Sequence, residues 1–472
     1  MTTQAPIEFP EPEIQELVPQ QEGYGAILQN KNFMALWIGQ VLSQLGDRVV
    51  FVVFIAMVAL FFGSSERYNS FLYIAFTIPA ILLTAVAGVF VDRWPRRAVL
   101  VTTNILRAFF VALVPFVSKD NPWTLYWLAF GLSSATQFFV PAEAATIPSI
   151  VSKSQLITAN SLFTTTMMAS VIFGFVLGDP LINIFGLEQV HWSIVTLFVL
   201  SSIALMFLKV PPMNPMERGE EDLDMLRPNS VRAATRKFFA ELQEGVQYIR
   251  ENKMILNAML KLALMFSAVV ALCLLFVSYS KEFLYRDPLV AARKFAYIIT
   301  FSGIGMVLGA YTVGQHFRQA RRGWMVFSGF TVLGGVLALL CLVDQFSQSA
   351  IAFTTPALQT DFFYLEPLNL TWRMVYTYLL TAIMGVAGAF VAIPLQALLH
   401  ELIPEDKRGK ILGVQFTILS TSSTLPALIA GVGAEQVGTK AMLLLLGIPM
   451  LIVGLRGLYH RVMTPNATVA NW

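Results

Sequence analysis

Charge is scarce in this 472-residue chain. Asp, Glu, Lys and Arg make up 13% of it, against about 25% in an ordinary soluble protein. Apolar residues make up 56%, and phenylalanine alone accounts for 37 positions. No soluble domain covers that much apolar surface with so few charges, so the composition specifies a polytopic membrane protein. Cysteine is nearly absent. Cys273 and Cys341 both lie inside apolar runs, which excludes a disulfide framework or a cysteine zinc site; they read as small buried hydrophobes. Histidine is equally sparse. His191, His316, His400 and His460 sit at the ends of apolar runs and are too scattered to hold a metal. No Gly-x-x-x-x-Gly-Lys-Ser/Thr loop occurs, so ATP is not the expected drive. A net charge of +3 is too small to suggest nucleic acid. No enzyme chemistry, cofactor or metal is expected.

A membrane-spanning helix needs roughly 20 mostly apolar residues. Twelve segments qualify: 34–62, 70–91, 98–118, 122–141, 160–182, 191–210, 256–281, 295–314, 325–345, 374–399, 411–436 and 438–460. They are continuously apolar, which excludes the short alternating strands of a membrane barrel. With the N-terminus placed in the cytoplasm, 20 of the 32 basic residues fall on the cytoplasmic side, 8 opposite and 4 inside the spans, edge residues being counted with the adjoining loop. The expected orientation therefore puts both termini in the cytoplasm.

The organisation that follows has five parts. Residues 1–30 carry five glutamates and no Lys or Arg and read as an acidic disordered tail, not a secretory signal. Residues 31–210 form one six-helix half. The linker 211–255 opens with prolines and charges, then places Phe238, Leu242, Val246 and Ile249 at helical spacing, an amphipathic helix on the bilayer surface or against the bundle. Residues 256–460 form the second half, and 461–472 a cytoplasmic tail. The halves echo each other: Gly88 and Gly314 both precede a basic cluster after the second span of their half, and Ile147-Pro148 matches Ile403-Pro404 after the fourth. Two parallel halves with a substrate site between them are a transporter architecture.

A few ionisable residues fall inside the spans. A charge at the bilayer centre costs about 2.5–3.5 kcal/mol on insertion scales, so each asks for a reason. Gln40, Ser43, Gln44 and Asp47 lie on one stripe of the first span and should face protein or a wet cavity rather than lipid. Asp47 reads as a proton or cation site, or as one partner of a structural ion pair. Arg107, central in the third span, is the stronger candidate partner for it, or for an anionic substrate; Arg48, adjacent on the helix, is the weaker. Glu143, past the fourth span, could cap a helix or join an inner gate. Lys261 is expected to reach the headgroups. The aromatic-rich loop at 344–373 reads as an interfacial belt or a lid.

Between the second and third spans the chain reads Gly88-Val-Phe-Val-Asp92-Arg93-Trp-Pro-Arg96-Arg97-Ala-Val-Leu100. This resembles the loop signature of the major facilitator superfamily; Phe90 and Pro95 depart from it. Gly39 to Asp47, Pro141 to Leu162 and Ile403 to Lys410 are similar to the branch of enterobactin exporters, macrolide efflux pumps and the lysophospholipid transporter. The resemblance implies twelve helices in two pseudo-symmetric halves, a cavity lined by helices one, four, seven and ten, and an inner gate made by Gly88, Asp92, Arg93, Arg96 and Arg97. Gly174-x-x-x-Gly178-Asp179-Pro180 is similar to the fifth-helix motif of drug/proton antiporters, with Asp179 inserted and the following glycine pair missing; its other reading is helix packing through small residues. The implied function is proton-coupled efflux of an amphipathic small molecule by a monomer in the bacterial plasma membrane. The alternatives are lysophospholipid transport, or a membrane assembly factor that transports nothing.

Overall fold

A computed structural model describes residues 24–62, 66–91, 94–118, 121–152, 154–210, 243–316, 322–349, 358–360, 363–365, 370–404 and 408–463. In lipid a helix satisfies its own backbone polar groups, which a continuously apolar segment has no other way to do. The described chain is accordingly helical almost throughout. The long helices are α1 (Lys31–Phe61), α2 (Glu66–Val91), α3 (Arg96–Ala112), α4 (Trp123–Ile150), α5 and α6 (together Leu156–Met206), α7 (Lys253–Tyr279), α8 (Pro288–His316), α9 (Arg322–Leu340), α10 (Trp372–Leu402), α11 (Arg408–Val437) and α12 (Thr439–Met463). Eight described helical segments are individually long and apolar enough to cross a membrane.

The α5–α6 run is broken at Gly186, whose φ of +72° and ψ of 156° leave the helical region. Gly438, between α11 and α12, has φ +87°. Side chains are disfavoured at such angles, and the two glycines make the equivalent turn in each half. Span four runs on past its expected end at 141, because Pro141 and Pro148 are absorbed into α4. Pro180 is likewise inside α5.

We call the end of the bundle carrying Lys31 and Met463 the base, and the other end the rim. At the base of the N-terminal half, Asn30 caps α1 with its side-chain oxygen and donates from Nδ2 to the Ile150 carbonyl at 2.8 Å. The Lys209 N–H returns to Asn32 at 3.0 Å. At the base of the C-terminal half Arg322 forks onto Glu401, both bonds 2.6 Å.

Within the N-terminal half α1 packs on α5–α6, α2 on α4, and α3 on both α4 and α6. The C-terminal half repeats this: α7 packs on α11, α8 on α10, and α9 on α10 and α12. The halves meet along α2–α11, α5–α8 and α1–α8. Of the expected linker helix, Phe238 and Leu242 lie outside the described residues; Ile249 is buried in the core, and α7 starts afresh at Lys253. In the 344–373 loop, Leu358–Thr360 pairs antiparallel with Phe363–Leu365, and the second strand contacts the α5–α6 run.

Candidate functional site

The polar stripe of α1 turns toward α3, α5 and α6. Ser43 Oγ accepts from Arg107 Nη1 at 2.6 Å and donates to Asn104 Oδ1 at 3.1 Å. Asn104 Nδ2 donates to Ser201 Oγ at 2.8 Å, and Ser201 donates to the Gly39 carbonyl at 2.6 Å. This chain of bonds stitches α1, α3 and α6 through the middle of the half. Gln40 is buried, so the stripe's base end faces packed protein rather than a wet cavity. Gln44 is half-buried and accepts from Ser170 of α5 at 2.9 Å.

Arg107 is fully buried and Asp47 keeps 28% of its side chain exposed; Nη1 of the arginine stands 3.4 Å from Asp47 Oδ2. The guanidinium also lies 4.4 Å from the ring centre of Phe139 on α4 and 5.6 Å from that of Phe198 on α6, contacts that favour a desolvated cation. Arg48 points elsewhere, with its guanidinium 5.8 Å from the ring of Phe175 on α5. Adjacent residues on a helix diverge by about 100°, which separates the two arginines. Lys261 reaches over Phe327 at 5.6 Å, within the C-terminal half.

The fifth-helix motif divides into two parts. A Cβ on Gly174 would sit 2.6 Å from Arg48 Cβ, and one on Gly178 2.7 Å from Val52 Cγ1. These glycines let α1 and α5 approach closely, the packing use of small residues. Asp179, next in sequence, turns to the other half. Arg293 of α8 donates from Nε to Asp179 Oδ1 at 2.9 Å, with Nη2 at 2.8 Å from the same oxygen. Tyr297 donates to Oδ2 at 3.2 Å, and Asn183 also accepts from Arg293. A second contact between the halves joins the Arg67 N–H of α2 to Glu435 of α11 at 3.0 Å. Both contacts hold the halves together at the rim. Arg293 carries no signal of this in the sequence, because its partner is 114 positions away.

Of the gate motif, Asp92 and Arg93 lie outside the described residues. Gly88 is half-buried near the base end of α2. Arg96 Nη1 donates to the Ala145 carbonyl of α4 at 2.8 Å, and Arg97 donates to the Met206 carbonyl at the end of α6. Both tie the base of α3 to its own half. An apolar groove of about 670 Å³ between α3 and α4, lined by Trp94, Leu106, Phe110, Trp127 and Phe138, holds none of these residues. The hydroxyls of Thr102 and Ser134 in its wall bond carbonyls of their own helices. No cluster able to hold a metal occurs among the described residues.

The profile of the Major Facilitator Superfamily matches residues 36–365. The chain belongs to this superfamily. It is 26% identical over 427 residues to an uncharacterized MFS-type transporter, YfiS, of Bacillus subtilis, covering 90% of this chain and 92% of the relative. It is 20% identical over 432 residues to macrolide efflux protein A of Streptococcus pyogenes, covering 90% and 94%. It is 24% identical over 423 residues to the multidrug efflux pump Tap of Mycolicibacterium fortuitum, covering 87% and 90%. Among solved structures, a bacterial homologue of the iron transporter ferroportin in an inward-facing state superposes with a TM-score of 0.61 at 16% identity, covering 92% of this chain and 99% of that one. A proton-dependent oligopeptide transporter gives 0.62 at 12% identity, covering 93% and 99%. These two likenesses show the fold: two six-helix halves of the major facilitator type.

Proposed function

We propose that this superfamily member is a proton-coupled exporter of an amphipathic small molecule, of drug or siderophore type, working by alternating access. It acts as a monomer in the bacterial plasma membrane, with the base and both termini cytoplasmic. The observation that carries the reading is the Asp47–Arg107 pair. A carboxylate and a guanidinium are held midway along the helices, one fully buried and one 28% exposed. Charges at that depth are costly and mark ion or proton pathways. Its similarity to a macrolide efflux protein and a multidrug efflux pump supports export.

The rim contacts fit one state of an alternating cycle. Asp179–Arg293 and Arg67–Glu435 join the halves at the rim, and in alternating access the base would then be the side that opens. In the opposite state the basic loop from Gly88 through Asp92, Arg93, Arg96 and Arg97 closes the base. Asp92 facing the positive end of a neighbouring helix would contribute about 0.3–1 kcal/mol, more if buried, enough to bias a nearly balanced equilibrium.

The test is accumulation in everted vesicles, with and without a pH gradient, across macrolides, siderophores and lysophospholipids. Gradient-driven accumulation of a macrolide or siderophore, lost in Asp47→Asn, is the expected result. Transport of lysophospholipid alone would replace the substrate class. No transport of any probe by a well-folded protein would favour the assembly-factor reading.

A further inference from the structure

A third ionisable group, Glu143, lies near the Asp47–Arg107 pair. Glu143 sits on α4, one helical turn toward the base from Phe139, the residue whose ring lies under the Arg107 guanidinium. It is 8% exposed. Its Oε1 is buried and accepts no hydrogen bond. Arg107 has matching spare capacity: Nε and Nη2 are buried and donate to nothing, while Nη1 serves Ser43 and Asp47. Asp47 Oδ1 is also without a donor. The two carboxylates and the arginine act on one another electrostatically.

Depth orders the three groups. At 1.5 Å per residue, Asp47 is about 24 Å along α1 from the base, Arg107 about 16 Å along α3, and Glu143 about 10 Å along α4. Arg107 thus stands between a carboxylate toward the rim and a carboxylate toward the base.

One guanidinium balances one carboxylate, and an uncompensated buried carboxylate is neutralised by taking up a proton. Arg48, its guanidinium 5.8 Å from the Phe175 ring, also acts on Asp47 but is not among the charges acting on Glu143. Arg96, on α3, is bound to the Ala145 carbonyl. Helix α2 has no charged residue from Tyr68 to Val91, and α6 has none from Trp192 to Phe207. Asp47 and Arg107 are therefore the charged groups that face Glu143 from α1 and α3.

We propose that Glu143 is a second proton-carrying site, and that it and Asp47 take turns as the partner of Arg107. With Asp47 ionised and paired, Glu143 holds a proton. When a proton binds Asp47 and forms its O–H bond, Arg107 loses that partner and moves to Glu143. The Glu143 O–H bond breaks and its proton leaves toward the base. One proton has been taken up and one released, Arg107 stays charged throughout, and the triad is neutral in both states. The inference rests on the proton-coupled reading for its use in transport, but the exchange itself can be measured without transport.

The experiment is infrared difference spectroscopy of the purified full-length protein at neutral pH, following the carbonyl stretch of a protonated carboxylic acid. Wild type should show one such band, and Glu143→Gln should lack it. The deciding variant is Asp47→Asn, which leaves Glu143 intact. With no rival for Arg107, Glu143 ionises and the band disappears there too. A band that persists unchanged in Asp47→Asn means that Glu143 is an independent buried acid, and overturns the proposal; so does a wild type with no band. In vesicles Glu143→Gln should lose gradient-driven accumulation and keep downhill exchange. A wild type that shows the coupled bands but no proton-driven transport would defeat the exporter reading alone and leave the triad standing.

Discussion

The two halves share a scaffold and differ in charge. Both turn from their fifth to their sixth helix on a positive-φ glycine, Gly186 and Gly438. Both carry a proline and a polar residue near the base of the fourth helix, Pro141-Ala142-Glu143 in α4 and Pro394-Leu395-Gln396 in α10. The polar residues are answered differently. Gln396 accepts from Gln415 Nε2 at 3.1 Å, an amide pair between α10 and α11. Glu143 has a buried Oε1 with no donor and lies one turn from Phe139, whose ring packs under Arg107 of α3; α9, the counterpart of α3, has no charged residue beyond Arg322. The repeat places a polar group at the same height in each half. At that height the N-terminal half places a carboxyl one turn from the ring under Arg107, whereas the C-terminal half pairs two amides and sets Lys261 over Phe327.

The comparison is broken or sharpened first at Arg107. Arg107→Gln strands the partly buried Asp47 carboxylate, and removing one partner of a buried pair costs about 3–5 kcal/mol. The melting temperature in detergent should fall sharply, and Asp47→Asn added to it should restore much of the loss. A mild single mutant with no rescue would make the N-terminal cluster no more demanding than the C-terminal amides.

Asp179→Asn acts on the contact between the halves rather than inside one. It removes a charge-assisted bond worth about 1.5–3 kcal/mol, which shifts the equilibrium toward an open rim by about tenfold or more. Spin labels at the exposed positions Glu188 and Asp287 should report a longer distance population. An unchanged distance distribution would remove Asp179 from any gating role.

Gly174→Val tests the α1–α5 seam. The new Cβ meets Arg48 Cβ at 2.6 Å, and overpacking of this kind costs about 1–3 kcal/mol. Gly335→Ala in α9, where nothing lies within 4 Å, is the control in the other half and should be neutral. Equal melting temperatures for the two would mean the seam adjusts freely.

Gln396→Leu should have the smallest effect, about 0.5–1.5 kcal/mol for one neutral hydrogen bond, with transport kept. A loss of proton coupling in this variant would show that the C-terminal half takes part, and the asymmetry would fail.

Much of the fold was legible because lipid permits few alternatives. Twenty apolar residues in water-free surroundings form a helix whatever their neighbours, so the spans and the two-half organisation could be read directly. The boundaries were less legible. Pro141 and Pro148 lie inside α4 because neighbouring helices can accommodate a proline's freed backbone groups, which no local signal announces. For the site, the stripe Gln40, Ser43, Gln44 and Asp47 was visible as spacing along one helix. Its surroundings were not: Gln40 and Ser43 are packed into the half and only Gln44 and Asp47 remain partly open. The Gly174–Gly178 spacing allowed two readings, and which atoms the glycines approach, Arg48 Cβ and Val52 Cγ1, was not legible in it.

By itself the sequence determined everything that depends on period, composition and the cost of charge in lipid: the membrane class, the helical spans, the duplication, the family signature and which charges stand out. Tertiary structure decided which charges meet. Asp47 and Arg107 are 60 positions apart, Asp179 and Arg293 are 114 apart, and α3 and α8 could rotate each arginine to any face without altering the apolar pattern that builds them. The pairing comes from helix packing, where a guanidinium is driven to whichever carboxylate the fold brings within reach, because in lipid no water is there to take its place.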